Sequence, residues 1–306
     1  MITFTRLSSL IALISLVFAC DQEPVEVRDA EAPLKAVVSI LPQAGLVERI
    51  GGKRVEVTVL VQPGQSPTLF EFTPRQMESL AGADLYFRIG LPFEDALLSR
   101  LEATFPSVTV VDMRDGIAMR SMEGGGSHGE ETADHHHGAA DPHIWLDPLN
   151  VETAAGTVAR ALSEFTPAHG EEFMANLRSL ETEANALNAT LAERLAPFRG
   201  QVLCVFHPAY GYFADRFGLE QMAIEEGSSE SGMRHLDELI TTLRERGVTV
   251  IFIQPQFSTR QAQTLADMIG AEVIALDPLP RDPLEGIAAI GEAVARSFEG
   301  EGEPRG

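Results

Sequence analysis

The stretch VLCVFHPAYGYF, from Val202 to Phe213, indicates the fold class, because an apolar run in it leads directly into a polar turn and a helical pattern. Its first five residues are apolar throughout, as in a strand that is covered on both faces. His207 follows at the expected tip of the strand, and Pro208 is expected to open a helix. This order predicts one strand–helix unit of a parallel sheet.

Seven further runs of this kind alternate with helical patterns along the chain. They are AVVSIL (36–41), VEVTVLV (55–61), LYFRIG (85–90), VTVVD (108–112), MAIE (222–225), VTVIFIQ (248–254) and EVIALD (272–277). Alternation of strands and helices predicts parallel sheets built from strand–helix–strand units. We therefore expect an α/β fold of two doubly wound parallel-sheet lobes with four strands each, over residues 34–148 and 200–299.

Residues 149–199, between the two lobes, have a helical pattern. Asp147 is the expected N-cap, and Pro148 the first helical residue. Thr166 and Pro167 repeat this signal before a second stretch that runs to Phe198. About 30 helical residues span about 45 Å, which is enough for a stiff backbone helix between the lobes. Two ordinary packing helices are the alternative.

The N-terminus is typical of a bacterial lipoprotein. Residues 1–20 contain one arginine, a short apolar run and Ala19-Cys20, as in a secretory signal peptide whose cleavage leaves Cys20 for lipidation. An ordinary signal peptide with a coincidental cysteine is the alternative. Residues 21–33 are acidic and contain proline, which predicts a disordered tether of about 40 Å when extended.

The overall composition excludes some partners. The formal net charge of −22 argues against nucleic acid and against an anionic bilayer as direct partners, so membrane contact is expected through the lipid anchor only. No stretch after the signal segment is long and apolar enough to cross a membrane. With Cys20 lipidated, Cys204 has no intrachain partner and is expected to be an inert core thiol.

Histidines and carboxylates are concentrated before the octet DPHIWLDP, residues 141–148. The preceding tract, EGGGSHGEETADHHHGAA (123–140), combines glycines with His128, His135, His136 and His137. Imidazole and carboxylate suit zinc and neighbouring divalent metals. We expect the loop 124–140 to be mobile and to add weak metal equivalents, while His143 in the octet is a fixed ligand. A solvated loop without function is the alternative.

Three candidate metal ligands follow predicted strands or end the first lobe. They are His143, His207 after VLCVF, and Asp277 after EVIAL. Ligands of doubly wound folds bind beyond the carboxyl ends of the strands, so we expect these three side chains to meet in the cleft between the lobes. Two histidines and one aspartate form a plausible zinc or manganese set, whereas a lone histidine before a helix is more often a capping or core residue.

Six motifs together resemble the zinc/manganese-type solute-binding lipoproteins of ABC transporters, over residues from about 35 to 299. They are PGQSPTLFEFTP (63–74), the His-rich loop with DPHIWLDP, FHPAYGYFADRFGL (206–219), EEGSSESGMRHLDELI (225–240), IFIQPQFS (251–258) and LDPL (276–279). The resemblance implies two α/β lobes, a rigid backbone helix and one metal ion in the cleft. It also implies that His143, His207 and Asp277 bind that ion.

One position departs from the family pattern. The first loop of the family usually reads PG-x-x-PH, with the histidine as a ligand, whereas here Thr68 follows Pro67. A neutral hydroxyl is a poor zinc ligand. A water or a loop histidine could complete the site, a carboxylate such as Glu225 or Glu226 could replace the ligand, or the protein could bind its metal more weakly or bind a different cation.

The resemblance implies capture of a divalent transition metal, zinc first and manganese second, and its delivery to an ABC permease and its ATPase. The ion is then the transported ligand. The protein is expected on the periplasmic side, lipid-anchored to the cytoplasmic membrane, because Asp21 resembles the retention residue of such lipoproteins. A surface metal buffer or adhesin is an alternative. So is a metal-dependent hydrolase, although no HExxH, G-x-S-x-G or Walker-type motif is present.

Overall fold

The computed structural model describes residues 32–122, 140–224 and 233–300. Several predictions concern residues outside these ranges: the signal peptide, Cys20, most of the tether, the loop histidines, and Glu225 and Glu226. The described residues from Pro33 onward belong to one compact unit.

The first lobe is a four-stranded parallel sheet in the order β2-β1-β3-β4. Its elements are β1 (Leu34–Val38), α1 (Leu41–Gly51), β2 (Val55–Val59), α2 (Pro74–Ala81), β3 (Leu85–Arg88), α3 (Pro92–Thr104) and β4 (Thr109–Asp112). The chain reverses its direction of winding between β1 and β3. The predicted four-stranded parallel lobe is confirmed, and β1 begins two residues before the predicted run.

The second lobe repeats this arrangement in the order β6-β5-β7-β8, again parallel. Its elements are β5 (Val202–Val205), α6 (Gly211–Phe217), β6 (Glu220–Ala223), α7 (Met233–Glu245), β7 (Val250–Ile253), α8 (Thr259–Ile269), β8 (Glu272–Ala275) and α9 (Pro283–Gly300). The predicted α/β class is therefore confirmed for both lobes.

The expected helix start at Pro208 is wrong, since α6 begins only at Gly211. Side chains of neighbouring strands hold the intervening turn in place. The backbone N–H of His207 donates to Oε1 of Gln254 at 3.3 Å, and that of Tyr210 donates to Oε1 of Gln221 at 2.7 Å. These hydrogen bonds from distant parts of the chain outweigh the local preference of proline for a helix N-terminus.

Two helices join the lobes: α4 (Pro148–Phe165) and α5 (Gly170–Leu195). Asp147 caps α4 as predicted, because its Oδ1 accepts a hydrogen bond from the Leu149 backbone N–H at 2.8 Å. The proline signal at Pro167 opens a 3-10 turn, Pro167–His169, rather than α5 itself.

Helix α5 reaches both lobes, as the predicted backbone helix should. Its 26 residues span about 39 Å. Near its start, Asn176 donates to the carbonyl of Ile50 at the end of α1, at 2.8 Å. Near its end, Arg194 binds Glu299 of α9, with Nη2 to Oε2 at 3.0 Å. Helix α5 also packs against α4, so the two linker helices both pack on each other and connect the lobes.

One hydrophobic cluster spans both lobes, beside a smaller cluster within each lobe. Buried side chains of the first lobe, the linker and the second lobe belong to the same cluster, among them Phe87, Leu162 and Leu276. A Cβ added to Gly45 of α1 would collide with the carbonyl oxygen of Arg281, so α1 and the segment before α9 approach at backbone distance. None of the helices in the described ranges is long and apolar enough to cross a membrane.

Candidate metal centre

A cavity of about 650 Å³ lies at the carboxyl ends of both sheets, in the cleft between the lobes. Gly90 and Leu91, after β3, line it from the first lobe, and His207 and Gln254, after β5 and β7, line it from the second. These are the points where each sheet reverses its strand order, and ligands bind there in doubly wound folds. The cleft predicted from the sequence is thus a real cavity.

The structure brings His143 and His207 together in this cavity. Their ring centroids are 5.5 Å apart, with the rings at 74° to each other. Two imidazoles on one tetrahedral zinc ion, each with its nitrogen about 2 Å from the metal, have centroids about 5 Å apart. The observed spacing therefore fits two ligands of a single ion with only a small adjustment.

His143 is held by a buried carboxylate. Its Nδ1 lies 2.7 Å from Oδ1 of Asp141, and Oδ2 of Asp141 accepts a hydrogen bond from Arg120 at 2.9 Å. If Nδ1 donates to Asp141, Nε2 is the nitrogen that can bind a metal. Carboxylates commonly orient metal-binding histidines in this way.

The electrostatics of this pair favour a neutral imidazole. Burial lowers the pKa of His143, and this outweighs the opposite effect of its hydrogen bond to Asp141. Burial alone would raise the pKa of Asp141, but hydrogen bonds from His143 and Arg120 outweigh it and lower that pKa. A neutral histidine beside an ionised aspartate is the state that binds a metal ion.

His207 is fixed through its backbone and its ring. Gln254, buried at the end of β7, donates from Nε2 to the His207 carbonyl at 2.9 Å and accepts from its N–H. The imidazole stacks on Phe257, with ring centroids 5.2 Å apart. Both contacts come from the segment after β7, so the neighbouring strand sets the position of His207.

Asp277 is not among the residues that line the cavity of the two histidines. It lines a smaller neighbouring cavity, where its Oδ1 accepts hydrogen bonds from Nε2 of Gln256 and from the Leu279 backbone N–H, both at 3.0 Å. Gln256 and Leu279 line both cavities. Asp277 follows β8, which is separated from β5 by β7, and two strand spacings amount to about 10 Å. Its role as a ligand stays a prediction.

Thr68, the residue at the usual ligand position, lines the same cavity as the histidines. Its Oγ1 is 2.7 Å from Oγ of Ser66, at an exposed position. The alternatives Glu225 and Glu226 lie outside the described residues. In the ranges that the structure describes, no group of three or more His, Cys, Asp or Glu side chains is placed to hold a metal ion.

Residues 36–289 match the family described as the periplasmic component A of the zinc-uptake complex, ZnuA. The chain belongs to this family. It is a family of transport components rather than of enzymes. The zinc/manganese-type solute-binding resemblance of the six motifs is therefore confirmed, and the ZnuA family match covers both lobes and the linker.

Curated relatives support the ZnuA assignment along most of the chain. The high-affinity zinc uptake system protein ZnuA of Yersinia pestis is 30% identical over 267 residues, which cover 81% of this chain and 84% of the relative. The ZnuA protein of Brucella abortus (strain 2308) is 28% identical over 284 residues, covering 82% and 85% of the two chains.

Solved structures agree with this assignment. A crystal structure of a ZnuA deletion mutant with zinc bound matches with a TM-score of 0.78 and 35% identity, covering 86% of this chain and 97% of that one. The periplasmic zinc-binding protein TroA of Treponema pallidum matches with a TM-score of 0.75 at 20% identity, covering 87% and 99%. The second likeness shows the shared fold alone.

The sequence did not assign a role to several side chains of this site. Asp141 was visible beside His143, but nothing in the sequence showed that its carboxylate would face the imidazole. Gln254 and Phe257 lie in the motif IFIQPQFS, and the position of Gln254 directly after an apolar run was a usable signal. Arg88 also lines the cavity, and it gave a second signal because it interrupts the apolar run LYFRIG.

Proposed function

We propose that this protein captures a divalent transition-metal ion, zinc first, outside the cytoplasm and delivers it to an ABC permease. The single observation that carries the proposal is the pairing of His143 and His207 in the cleft, at a ring distance of 5.5 Å. Family membership supports it, because the curated relatives are named high-affinity zinc uptake proteins. Two imidazoles favour zinc over manganese, which prefers oxygen ligands.

Asp277 is the third ligand of this proposal. Its carboxylate would have to leave Gln256 and turn toward the cleft, and the segment after β8 carries both Asp277 and the cavity-lining Pro278 and Leu279. If Asp277 binds the ion, Asp277→Asn should clearly lower the affinity of the protein for zinc. An unchanged affinity would remove Asp277 from the site and leave the two histidines.

Zinc titration of single-site variants tests the core of the proposal. His143→Ala and His207→Ala should each lose most of the zinc affinity, measured by competition with a fluorescent chelator, and bound metal should fall below one equivalent in elemental analysis. His169→Ala is the matched control, since His169 precedes α5 and does not line the cavity. Full zinc binding by both cleft variants would overturn the site.

The bound ion is cargo in this proposal and has no catalytic role. The partners are a permease and its ATPase in the cytoplasmic membrane. Adding the zinc-loaded protein to the reconstituted permease complex of the same organism should stimulate ATP hydrolysis, and the His207→Ala variant should not. Turnover of ester or phosphoester substrates by the zinc-loaded protein would argue for an enzyme instead.

The lipid anchor at Cys20 is the remaining part of the proposal. The lipobox-like end of the signal segment and Asp21 support retention at the outer face of the cytoplasmic membrane, since two or three acyl chains anchor a protein firmly. A Cys20→Ser protein should appear in the soluble periplasmic fraction with zinc binding intact. Retention of that variant in the membrane fraction would contradict the anchor.

A further inference from the structure

The segment that carries Asp277 is held on both sides of that residue by side chains from distant parts of the chain. Nε1 of Trp145 donates to the carbonyl oxygen of Pro278 at 2.6 Å, and the hydroxyl of Tyr210 donates to the carbonyl oxygen of Leu276 at 2.7 Å. Both hydrogen bonds are buried. A buried hydrogen bond is costly to break, because its donor and acceptor have no water to replace the lost partner.

Each of these two hydrogen bonds comes from a segment that carries one of the histidines. Trp145 lies two residues after His143, and the centroid of its ring is 5.2 Å from the centroid of that imidazole. Tyr210 lies three residues after His207, at the start of α6. The two hydrogen bonds therefore tie the segment around Asp277 to both histidine segments.

The backbone around Asp277 is restricted in further ways. The carbonyl of Leu276 belongs to the planar peptide group that also contains the N–H of Asp277. The N–H of Leu276 donates to the carbonyl of Ile253 in β7 at 2.9 Å, and Pro278 restricts its own φ to about −65°. Leu276 and Pro278 are buried, whereas Asp277 is exposed. The backbone is thus held in place while the carboxylate can turn about its side-chain bonds.

The charge of Asp277 acts on the hydroxyl of Tyr210. Burial raises the pKa of Tyr210 well above its usual value, and the negative charge of Asp277 raises that pKa further. The hydroxyl therefore keeps its proton at physiological pH and can donate to the carbonyl of Leu276. This effect also requires the carboxylate to lie near the hydroxyl that holds its segment.

A change of partner at Asp277 needs only a rotation of its side chain. Its Oδ1 accepts a hydrogen bond from Nε2 of Gln256 at 3.0 Å, and Gln256 lines both the cavity of the histidines and the neighbouring one. Ligands of a functional site have to be held within about 0.5 Å of their productive positions. A segment that is ordered before the ion arrives also loses less conformational entropy on binding.

We propose that Tyr210 and Trp145 are positioning residues for the third metal ligand. Their hydrogen bonds hold the backbone on both sides of Asp277, so that its carboxylate turns from Gln256 onto the ion between the two histidines. Neither Tyr210 nor Trp145 binds the ion itself. This role rests on the proposed zinc function, with Asp277 as the third ligand.

Tyr210→Phe tests the role directly, because it keeps the ring and removes only the hydroxyl. Zinc affinity, measured by chelator competition on the full-length protein, should fall about tenfold. In an Asp277→Asn background the same substitution should change the affinity by less than about twofold, since its effect passes through the carboxylate. A general loosening of the fold would instead weaken zinc binding equally in both backgrounds.

Ser163→Ala is the matched control, because the hydroxyl of Ser163 also donates to a backbone carbonyl, that of Ala159 in α4, at 2.7 Å. It should leave the zinc affinity unchanged in both backgrounds. Cobalt(II) gives a second measurement, since its visible absorption depends on its ligands. The cobalt spectrum of Tyr210→Phe should move toward that of Asp277→Asn, and Ser163→Ala should keep the wild-type spectrum.

Trp145→Phe removes the other donor and decides the question if circular dichroism shows that Tyr210→Phe does not fold. Its effect on zinc affinity should depend on Asp277 in the same way. A loss of equal size in both backgrounds, or no loss in a folded variant, would overturn the positioning role. An unchanged affinity of Asp277→Asn by itself would also overturn it and leave the histidine site intact. Failure of the wild-type protein to bind zinc would instead overturn the proposed function.

Discussion

Asp141 and His143 form a buried pair in which Oδ1 of the aspartate lies 2.7 Å from Nδ1 of the imidazole. The aspartate side chain is fully buried, and Arg120 binds its other oxygen. The pair fixes the ring of His143 and leaves Nε2 for the proposed metal ion. Arg120 also binds Asp215 of α6 at 3.0 Å, so this ligand is supported from both lobes.

We expect Asp141→Asn to weaken zinc binding by about 10–100-fold, the usual effect of removing a carboxylate behind a metal-binding histidine. The amide can still accept one hydrogen bond, but it loses the charge that supports the imidazole. Zinc competition titration checks the effect, with circular dichroism to confirm folding. Asp115→Asn, at an exposed position, should leave the affinity unchanged. Equal zinc affinities of Asp141→Asn and Asp115→Asn would contradict the role of Asp141 in supporting His143.

Thr68→His should raise the zinc affinity at least tenfold. Thr68 lines the cavity of the two histidines, and an imidazole there would add a ligand to an incomplete shell. Leu69→His is a close control, because Leu69 is 81% exposed and does not line that cavity. An unchanged zinc affinity of Thr68→His, or a gain in Leu69→His alone, would contradict this prediction. It would show that another group already occupies that position on the ion.

Asp147 joins the start of α4 to the second lobe. It caps α4 through the Leu149 N–H, and its two carboxylate oxygens share the Nε–H of Arg216, at 3.0 and 2.9 Å. Asp147→Ala should lower the free energy of unfolding by about 2–3 kcal/mol, through loss of the cap and of a largely buried ionic contact.

Asp147→Asn is the matched variant for this prediction, because an asparagine keeps the cap and loses only the charge toward Arg216. It should destabilise the protein less than Asp147→Ala. Urea denaturation followed by circular dichroism measures both. Equal effects of the two substitutions would mean that the cap contributes nothing.

Cys204 should resist alkylation in the native protein. Burial raises the pKa of its thiol to about 12, and only the thiolate is nucleophilic. At pH 8 the thiolate fraction is therefore about one in ten thousand. Iodoacetamide labelling followed by mass spectrometry should show no reaction at Cys204 under native conditions and full reaction in guanidinium chloride. Rapid native labelling would contradict the burial of this side chain.

The sequence by itself determined the fold class. Apolar runs without alternation, such as VLCVF, predict strands covered on both faces, and the structure has the predicted parallel sheets. Asp147 and Pro148 marked the start of α4 correctly, because capping is a local interaction between residues close in sequence. The sequence also placed His207 correctly at the tip of a buried strand, since polar residues there are informative in any doubly wound fold.

The tertiary structure decided how these residues meet. Contacts from Gln221 of β6 and from Gln254 after β7 delayed the start of α6 and set the place of His207, and no local pattern contains that information. Strand order placed β7 between β5, which precedes His207, and β8, which precedes Asp277. Arg88 and Arg114 came to line the cavity of the two histidines only through folding. Local propensity fixes the elements of a chain, whereas the distances in a site depend on contacts between residues far apart in sequence.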